Sequence, residues 1–160
     1  MCGIFIVINK KSQPLNISKC KKSLDSMYRR GPDWSFYKIV KQNIFIGQVV
    51  LSMTGKIKKN INEHYSTSKN YFVVFNGEIY NYKNLFYSYL NRRADENTSD
   101  TNVLVNLFDR KELNQINKSL DGMYAYVVYD KIKNQLIVSR DPQGEKSLYL
   151  YENENLIIIS

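Results

Sequence analysis

Short apolar runs separated by polar, turn-forming residues recur along the whole of this 160-residue chain. Their lengths and compositions are typical of buried or half-buried β-strands. The runs that we interpret as strands are residues 2–9, 34–40, 44–51, 71–75, 123–130, 135–140, 147–151 and 156–159. Polar residues 41–43 between the second and third runs predict a hairpin. Because no run approaches the roughly 20 residues that cross a bilayer, we expect no membrane partner.

Residues 17–30 have the periodicity of an amphipathic helix that Gly31-Pro32 ends. One face of this predicted helix carries the apolar residues Ile17, Cys20, Leu24, Met27 and Tyr28. We therefore expect Cys20 to lie in the core.

Two further helical patterns lie between the strand runs. Residues 82–90 form the first, and the second follows Ser99 or Asp100, either of which can cap it. The side of this helix that we predict to be buried carries Val103, Leu104, Leu107 and Phe108. Residues 54–70 lack a pattern and predict a long loop. Helices flanked by hairpin-connected strands predict an α+β fold of packed layers.

The formal net charge of +8 suggests a nucleic-acid partner, but the basic residues are spread over several short groups. A nucleic-acid surface is usually a basic patch or stripe, so we expect solvated lysines and arginines and no specific nucleic-acid binding. The two cysteines do not make a disulfide framework, and residues 4–8 lack the flanks of a secretory signal. We therefore expect a cytoplasmic protein with reduced thiols. No metal-ligand cluster is visible in the sequence, and His64, the only histidine, is expected in a surface loop.

Cys2 follows the initiator methionine directly. Removal of Met1 would place a thiol and a free α-amine on the same residue, and an N-terminal amine is a known general base for such a nucleophile. Its unperturbed pKa of roughly 7.7 to 8.0 leaves a usable neutral fraction near pH 7. The position therefore predicts a nucleophile that carries its own base, although a cysteine at position 2 is usually an ordinary small residue.

Several blocks of sequence match a known family in order and spacing. They are residues 2–5, 30–33, 51–53, 76–81, 99–100, 120–125 and 140–149. Over essentially its whole length the chain resembles the class II glutamine amidotransferase domain, an N-terminal-nucleophile hydrolase. Within that family it is most similar to the glutaminase half of asparagine synthetase. The resemblance implies a four-layer αββα sandwich spanning residues 1–160.

The resemblance also implies catalytic roles. An N-terminal cysteine, here Cys2, would attack the side-chain amide of glutamine, form a thioester and release ammonia before water frees glutamate. The side-chain amide of Asn76 and the backbone N–H of Gly77 match the family's oxyanion donors. One such donor is worth roughly 3 to 4 kcal/mol in comparable sites.

Other matched positions would bind or frame the substrate. Glu78 and Asp100 match the acidic residues around the α-ammonium group of glutamine, and the backbones of Leu51 and Met53 match positions that line the pocket. Arg30 matches an arginine near the nucleophile that belongs to the architecture of the site. The resemblance implies glutamine as the substrate, and neither a metal nor a cofactor.

Plainer interpretations compete with some of these roles. Asn76-Gly77 after a strand is most often a tight turn. Asp100 could serve only as a helix cap, and Arg30 could form only a structural ion pair. We interpret Asp121-Gly122 and Arg140-Asp141 as turns that hold the fold.

The chain departs from the asparagine synthetase pattern at Val50, where an arginine would bind the α-carboxylate of glutamine. Charged hydrogen bonds contribute about 1.5 to 3 kcal/mol each, so an uncompensated loss would weaken glutamine selection by roughly 10² to 10⁴ fold. Nearby lysines at positions 56, 58 and 59 could replace the arginine as point charges. The alternative is a catalytically impaired domain that acts as a binding or regulatory subunit.

The 160 residues contain no phosphate-binding loop of the Ser-Gly-Gly or Walker type. We therefore expect one amidotransferase domain, 1–160, without a synthetase domain. The acceptor of the ammonia would then be a separate ATP-dependent synthetase chain.

Overall fold

The computed structural model describes residues 2–52, 67–91, 93–95 and 98–160. Within them the chain forms eight strands in two antiparallel sheets and four α-helices, which confirms the predicted α+β class. The elements are β1 (Gly3–Asn9), α1 (Ile17–Asp25), β2 (Trp34–Lys41), β3 (Ile44–Val50), β4 (Tyr71–Ile79), α2 (Tyr82–Leu90), α3 (Asp100–Phe108), α4 (Leu113–Ser119), β5 (Gly122–Asp130), β6 (Gln135–Arg140), β7 (Leu150–Glu152) and β8 (Leu156–Ile159). They fall into two compact units, Met1–Leu51 with Ser147–Ser160, and Ser52–Lys146.

The first unit is a five-stranded sheet with α1 packed on it. The strand order is β2-β3-β1-β8-β7, and the predicted β2-β3 hairpin is confirmed. α1 begins at the cap Asn16, whose side chain accepts a hydrogen bond from the Lys19 N–H at 3.0 Å. Its residues Cys20 and Leu24 are buried against the sheet, as predicted for Cys20.

The predicted helix 17–30 is wrong at its carboxyl end. α1 stops at Asp25, and a 3₁₀ turn covers Tyr28–Arg30, so that Tyr28 is 61% exposed instead of buried. The chain tightens here because Gly31 must lie against the backbone of β3: a Cβ on Gly31 would be 2.3 Å from the Val50 nitrogen. A continuous helix through Arg30 is incompatible with that approach.

The second unit packs three helices on a three-stranded sheet of order β4-β5-β6. α2 has the predicted bounds. Ser99 caps α3 by accepting a hydrogen bond from the Asn102 N–H at 3.1 Å, and the four apolar residues predicted to be buried on α3 are buried. α4 was not predicted, because Ile116 is its only buried residue and Leu113 is the only other apolar residue in it.

β4 extends beyond the predicted strand 71–75 and runs through Asn76-Gly77 to Ile79, so the tight-turn interpretation is wrong. Gly77 pairs with Tyr124 of β5 at a φ of +150°, a conformation that favours glycine. A Cβ at this position would lie 2.1 Å from the carbonyl oxygen of Met123. The glycine therefore lets the strand continue where any side chain would separate β4 from β5.

Asp141 holds the segment after β6, which agrees with the structural role predicted for it. Its buried carboxylate accepts hydrogen bonds from the backbone N–H groups of Tyr124, Glu145 and Lys146 at 3.2, 2.9 and 3.0 Å. Burial raises the pKa of Asp141, but these hydrogen bonds outweigh it and the pKa is lowered.

We predict that Asp141→Ala lowers the free energy of unfolding by about 3 kcal/mol, because three backbone donors lose their acceptor. Chemical denaturation followed by circular dichroism measures this difference. Asp109→Ala, at an exposed aspartate in the same unit, is the matched control and should change it by less than about 0.5 kcal/mol. Equal effects of the two substitutions would contradict the structural role.

Candidate active site

Cys2 lies at the start of β1 in the first unit and is half-buried. The pairing of Gly3 with Val49 places it beside the end of β3. Its thiol donates to the carbonyl oxygen of Leu51, with 3.7 Å between Sγ and O. The sheet thus positions the side chain of Cys2 against the backbone of a second predicted site residue.

Arg30 contacts the same residue from the 3₁₀ turn. Its Nε donates to the carbonyl oxygen of Cys2 at 3.3 Å. Among the described residues Arg30 forms no ion pair, so the interpretation as a purely structural ion pair is not supported. The first unit therefore brings Cys2, Arg30 and Leu51 together.

Val50 immediately precedes Leu51 and is buried, with its backbone paired to Trp34 of β2. An apolar side chain has no group that binds a carboxylate, so this position does not supply the arginine of the family pattern. Met53 and the residues at 56, 58, 59 and 64 lie outside the described residues. The predictions for them therefore stay predictions.

The second unit carries Asn76, Gly77 and Glu78 in succession on β4, which is an edge strand within the described residues. Asn76 is only 6% exposed, and its Oδ1 has no hydrogen-bond partner in the described part of the chain. Glu78 is half-buried. The strand thus lines up three of the predicted site residues.

The backbone N–H of Gly77 points away from β5. Residues of an antiparallel strand direct their backbone groups alternately to either side. Tyr124, opposite Gly77, directs its backbone N–H and C=O to Asp141 on the far side of β5. Ile79, two residues after Gly77, points its N–H to the outer edge of β4, where Asp100 accepts it at 3.2 Å. The outer edge therefore presents the Gly77 N–H on the same side as the Asp100 carboxylate.

Asp100 is the first residue of α3 and is 6% exposed. Besides the Ile79 N–H, its carboxylate accepts the Thr101 N–H at 2.7 Å. Burial raises the pKa of Asp100 to about 6 in spite of these hydrogen bonds, and the negative charge of Glu78 adds to the increase. Because Ser99 is the cap, the interpretation of Asp100 as only a helix cap is wrong.

Two residues near Asp100 were missed in the sequence. Thr101 supports the carboxylate through its N–H, and burial with the charges of Asp100 and Glu78 raises the pKa of the Tyr82 hydroxyl. Thr101 directly follows Asp100 in the sequence, whereas the proximity of Tyr82 depends on how α2 packs against α3, which no local sequence signal reports. Among the described residues no group of three or more His, Cys, Asp or Glu side chains could hold a metal, and no helix is long and apolar enough to cross a membrane.

Comparison with known proteins identifies the family. Residues 1–160 match the glutamine amidotransferase domain. The chain is 30% identical, over 93% of its length, to a probable glutamine-hydrolysing asparagine synthetase of Acanthamoeba polyphaga mimivirus, of which the match covers 27%. It is 30% identical over 97% of its length to the glutamine-hydrolysing asparagine synthetase B of Escherichia coli K12, and 32% identical over its full length to asparagine synthetase 2 of Bacillus subtilis 168.

The match covers 28% of the Escherichia coli protein and 21% of the Bacillus subtilis protein. The chain thus spans about a quarter of the length of the curated relatives it matches. The family match, however, extends over every residue of the chain and includes Cys2 and the β4 segment with Asn76 and Gly77. The chain therefore belongs to the class II glutamine amidotransferase domain family.

Proposed function

We propose that this chain hydrolyses glutamine to glutamate and ammonia, with Cys2 as the nucleophile. The observation that carries the proposal is the position of Cys2 at the start of β1, where Arg30 and Leu51 contact it, in a chain matched throughout by the family.

The fold that we propose is the family's four-layer αββα sandwich. A reactive thiolate is stable in a reducing compartment, which favours the cytoplasm.

The proposed chemistry begins with removal of Met1, which frees the α-amine of Cys2. That amine takes the proton of Sγ, and the thiolate attacks the side-chain carbonyl carbon of glutamine. The oxyanion that forms accepts hydrogen bonds from Asn76 Nδ2 and from the Gly77 N–H, which the β5 ladder does not use. The proton on the amine passes to the nitrogen, the C–N bond breaks and ammonia leaves. Water then attacks the thioester, and glutamate departs as the thiol is restored.

Glu78 and Asp100 are proposed to bind the α-ammonium group of glutamine. Gly77 and Ile79 are two residues apart, so their N–H groups are separated by roughly 7 Å along the strand. The Asp100 carboxylate lies 3.2 Å from the second of these groups. That spacing is of the same order as the roughly 5 Å between the amide carbon and the α-nitrogen of an extended glutamine, calculated from standard bond lengths. One edge of β4 thus offers partners for both ends of the substrate.

Purified protein tests the proposal. Incubation with glutamine should release glutamate and ammonia in equal amounts, and intact mass should show that Met1 is absent. Asparagine, shorter by one methylene, is the control substrate and should be hydrolysed far more slowly. A folded, processed protein that releases no glutamate would refute the proposal and would favour the impaired, binding role suggested by Val50.

The acceptor that we propose for the ammonia is an ATP-dependent synthetase on a separate chain. Its support is that the relatives are named asparagine synthetases. Co-purification of such a synthetase with the tagged protein, and a gain in asparagine formation when the two are mixed with glutamine, aspartate and ATP, tests this partner.

The pKa of Asp100 predicts a pH dependence of glutamine binding. Because that pKa is raised to about 6, Asp100 loses its negative charge as the pH falls through 6, and the α-ammonium loses one of its two proposed partners. We expect the affinity for glutamine to fall about fivefold between pH 6 and pH 5, because the ionised fraction of a group with this pKa falls by that factor. Calorimetry on the Cys2→Ala protein measures it without titration of the nucleophile.

Asp100→Asn should flatten this profile, whereas Asp109→Asn should leave it unchanged. A profile that persists in Asp100→Asn would contradict the assignment. The free energy of unfolding changes with pH in the opposite direction to glutamine binding. The folded state binds the proton of Asp100 more tightly than the unfolded chain does. This group therefore stabilises the fold increasingly as the pH falls from about 6 towards 4.

A further inference from the structure

The side-chain amide of Asn76 has a buried acceptor atom that is not satisfied by a hydrogen bond within the described residues. Its Oδ1 is enclosed and lacks a hydrogen-bond partner among the described residues, although the side chain is only 6% exposed. A buried acceptor without a donor costs about 1 to 3 kcal/mol, so such atoms are rare in folded proteins. The oxyanion role uses Nδ2 and leaves this oxygen unexplained. A ligand that brings an N–H group to Oδ1 would recover that cost.

We propose that Asn76 selects a primary amide by pairing both ends of its side-chain amide with the carboxamide of the substrate. Nδ2 donates to the carbonyl oxygen, and Oδ1 accepts from the scissile nitrogen. The inference rests on the proposed function and extends it from rate enhancement to substrate choice. Two primary amides form this pair readily, because each carries one donor and one acceptor side by side.

The two hydrogen bonds between the amide groups also become stronger as the reaction proceeds. When the thiolate adds to the carbon, the carbonyl oxygen becomes an oxyanion and the nitrogen gains a proton before it leaves. Hydrogen bonds strengthen when a partner becomes charged, so both contacts improve towards the transition state. An ester places an oxygen lone pair against Oδ1 where the amide places an N–H. Glutamate, the product, does the same with a carboxylate oxygen, which favours its release.

The test compares glutamine with the γ-methyl ester of glutamate, in which a methoxy group replaces the NH2 group, so that the leaving group carries no N–H donor. The measured quantity is the ratio of kcat/KM for the amide to kcat/KM for the ester, in the wild-type protein and in Asn76→Ala. Both substrates are assayed on one sample, so the folded fraction cancels from the ratio. We expect the ratio to fall about tenfold in Asn76→Ala, the size of one hydrogen bond to a developing ammonium group. Asp109→Ala should leave it unchanged.

Each outcome is decisive. Equal losses for amide and ester would show that Asn76 acts through Nδ2 alone, which overturns this inference and leaves the proposed function standing. Hydrolysis of neither substrate by the wild-type protein would overturn the proposed function itself. If Asn76→Ala turns over too slowly to assay, calorimetry on Cys2→Ala with and without Asn76→Ala gives the corresponding amide-to-ester ratio for binding of the substrate before reaction. An unchanged ratio there would also overturn the inference.

Discussion

Cys2→Ala is expected to reduce glutamine hydrolysis by about 10⁴-fold or more, to the background of the assay. Alanine has no nucleophilic atom, so the thioester cannot form even though the α-amine remains. The weak contact from Sγ to the Leu51 carbonyl is lost with the sulfur, and we expect the fold to stay intact. Glutamate release measured over hours, with melting temperature as the check on folding, gives the result.

Cys20→Ala is the matched control for this substitution. Cys20 is the second cysteine of the chain and is buried in the core of the first unit, where burial raises the pKa of its thiol. A raised pKa keeps the thiol protonated and unreactive. We expect activity to survive in Cys20→Ala, with a small loss of stability from the missing sulfur. Activity that survives in Cys2→Ala and disappears in Cys20→Ala would reverse the assignment.

Gly77→Ala is expected to lower the free energy of unfolding by about 4 kcal/mol and to abolish hydrolysis. The added methyl group would meet the carbonyl oxygen of Met123 at 2.1 Å, and the backbone φ of +150° is unfavourable for alanine. Relief of the clash requires β4 to move away from β5, which displaces the proposed oxyanion donors with it. Denaturant unfolding and the glutamine assay measure the two effects.

Gly47→Ala separates this effect from the general cost of replacing a glycine in a strand. Its methyl group would meet only side chains, the nearest being Leu24 Cδ2 at 2.8 Å, and flexible side chains can shift. We expect a loss of about 1 kcal/mol and retained activity. A Gly77→Ala protein as stable and active as Gly47→Ala would show that β4 tolerates a side chain at the oxyanion position.

The elements that the sequence predicts well are those with a strong local pattern. Residues 82–90 and the apolar side of α3 carry helical periodicity that tertiary packing reinforces, so their bounds and burial agree with the structure. Asn76-Gly77 carries a local turn signal, but pairing with β5 overrides it and keeps the chain extended. The amphipathic pattern of 17–30 likewise extends past the point where Gly31 must approach β3.

The contacts within the candidate site are harder to predict from the sequence than the helices are. Because Cys2, Arg30 and Leu51 are far apart in the sequence, only the resemblance to a family suggested that they lie close together. In the structure, Arg30 and Leu51 each form a hydrogen bond with Cys2. The raised pKa of Asp100 and the unpartnered oxygen of Asn76 depend on burial by distant elements. No pattern in the sequence reports either of them, because burial is a property of the packed chain.

The role of Cys2 as the nucleophile is tested by identifying the atom that reacts with an electrophilic analogue of glutamine. A diazoketone analogue, in which the side-chain amide is replaced by a group that alkylates thiolates, is incubated with the processed protein, and the peptides are sequenced by mass spectrometry. We expect one equivalent of label on Cys2, none on Cys20, protection by glutamine and a parallel loss of ammonia release. Label on another residue, or an active protein whose Cys2 stays unmodified, would contradict that role.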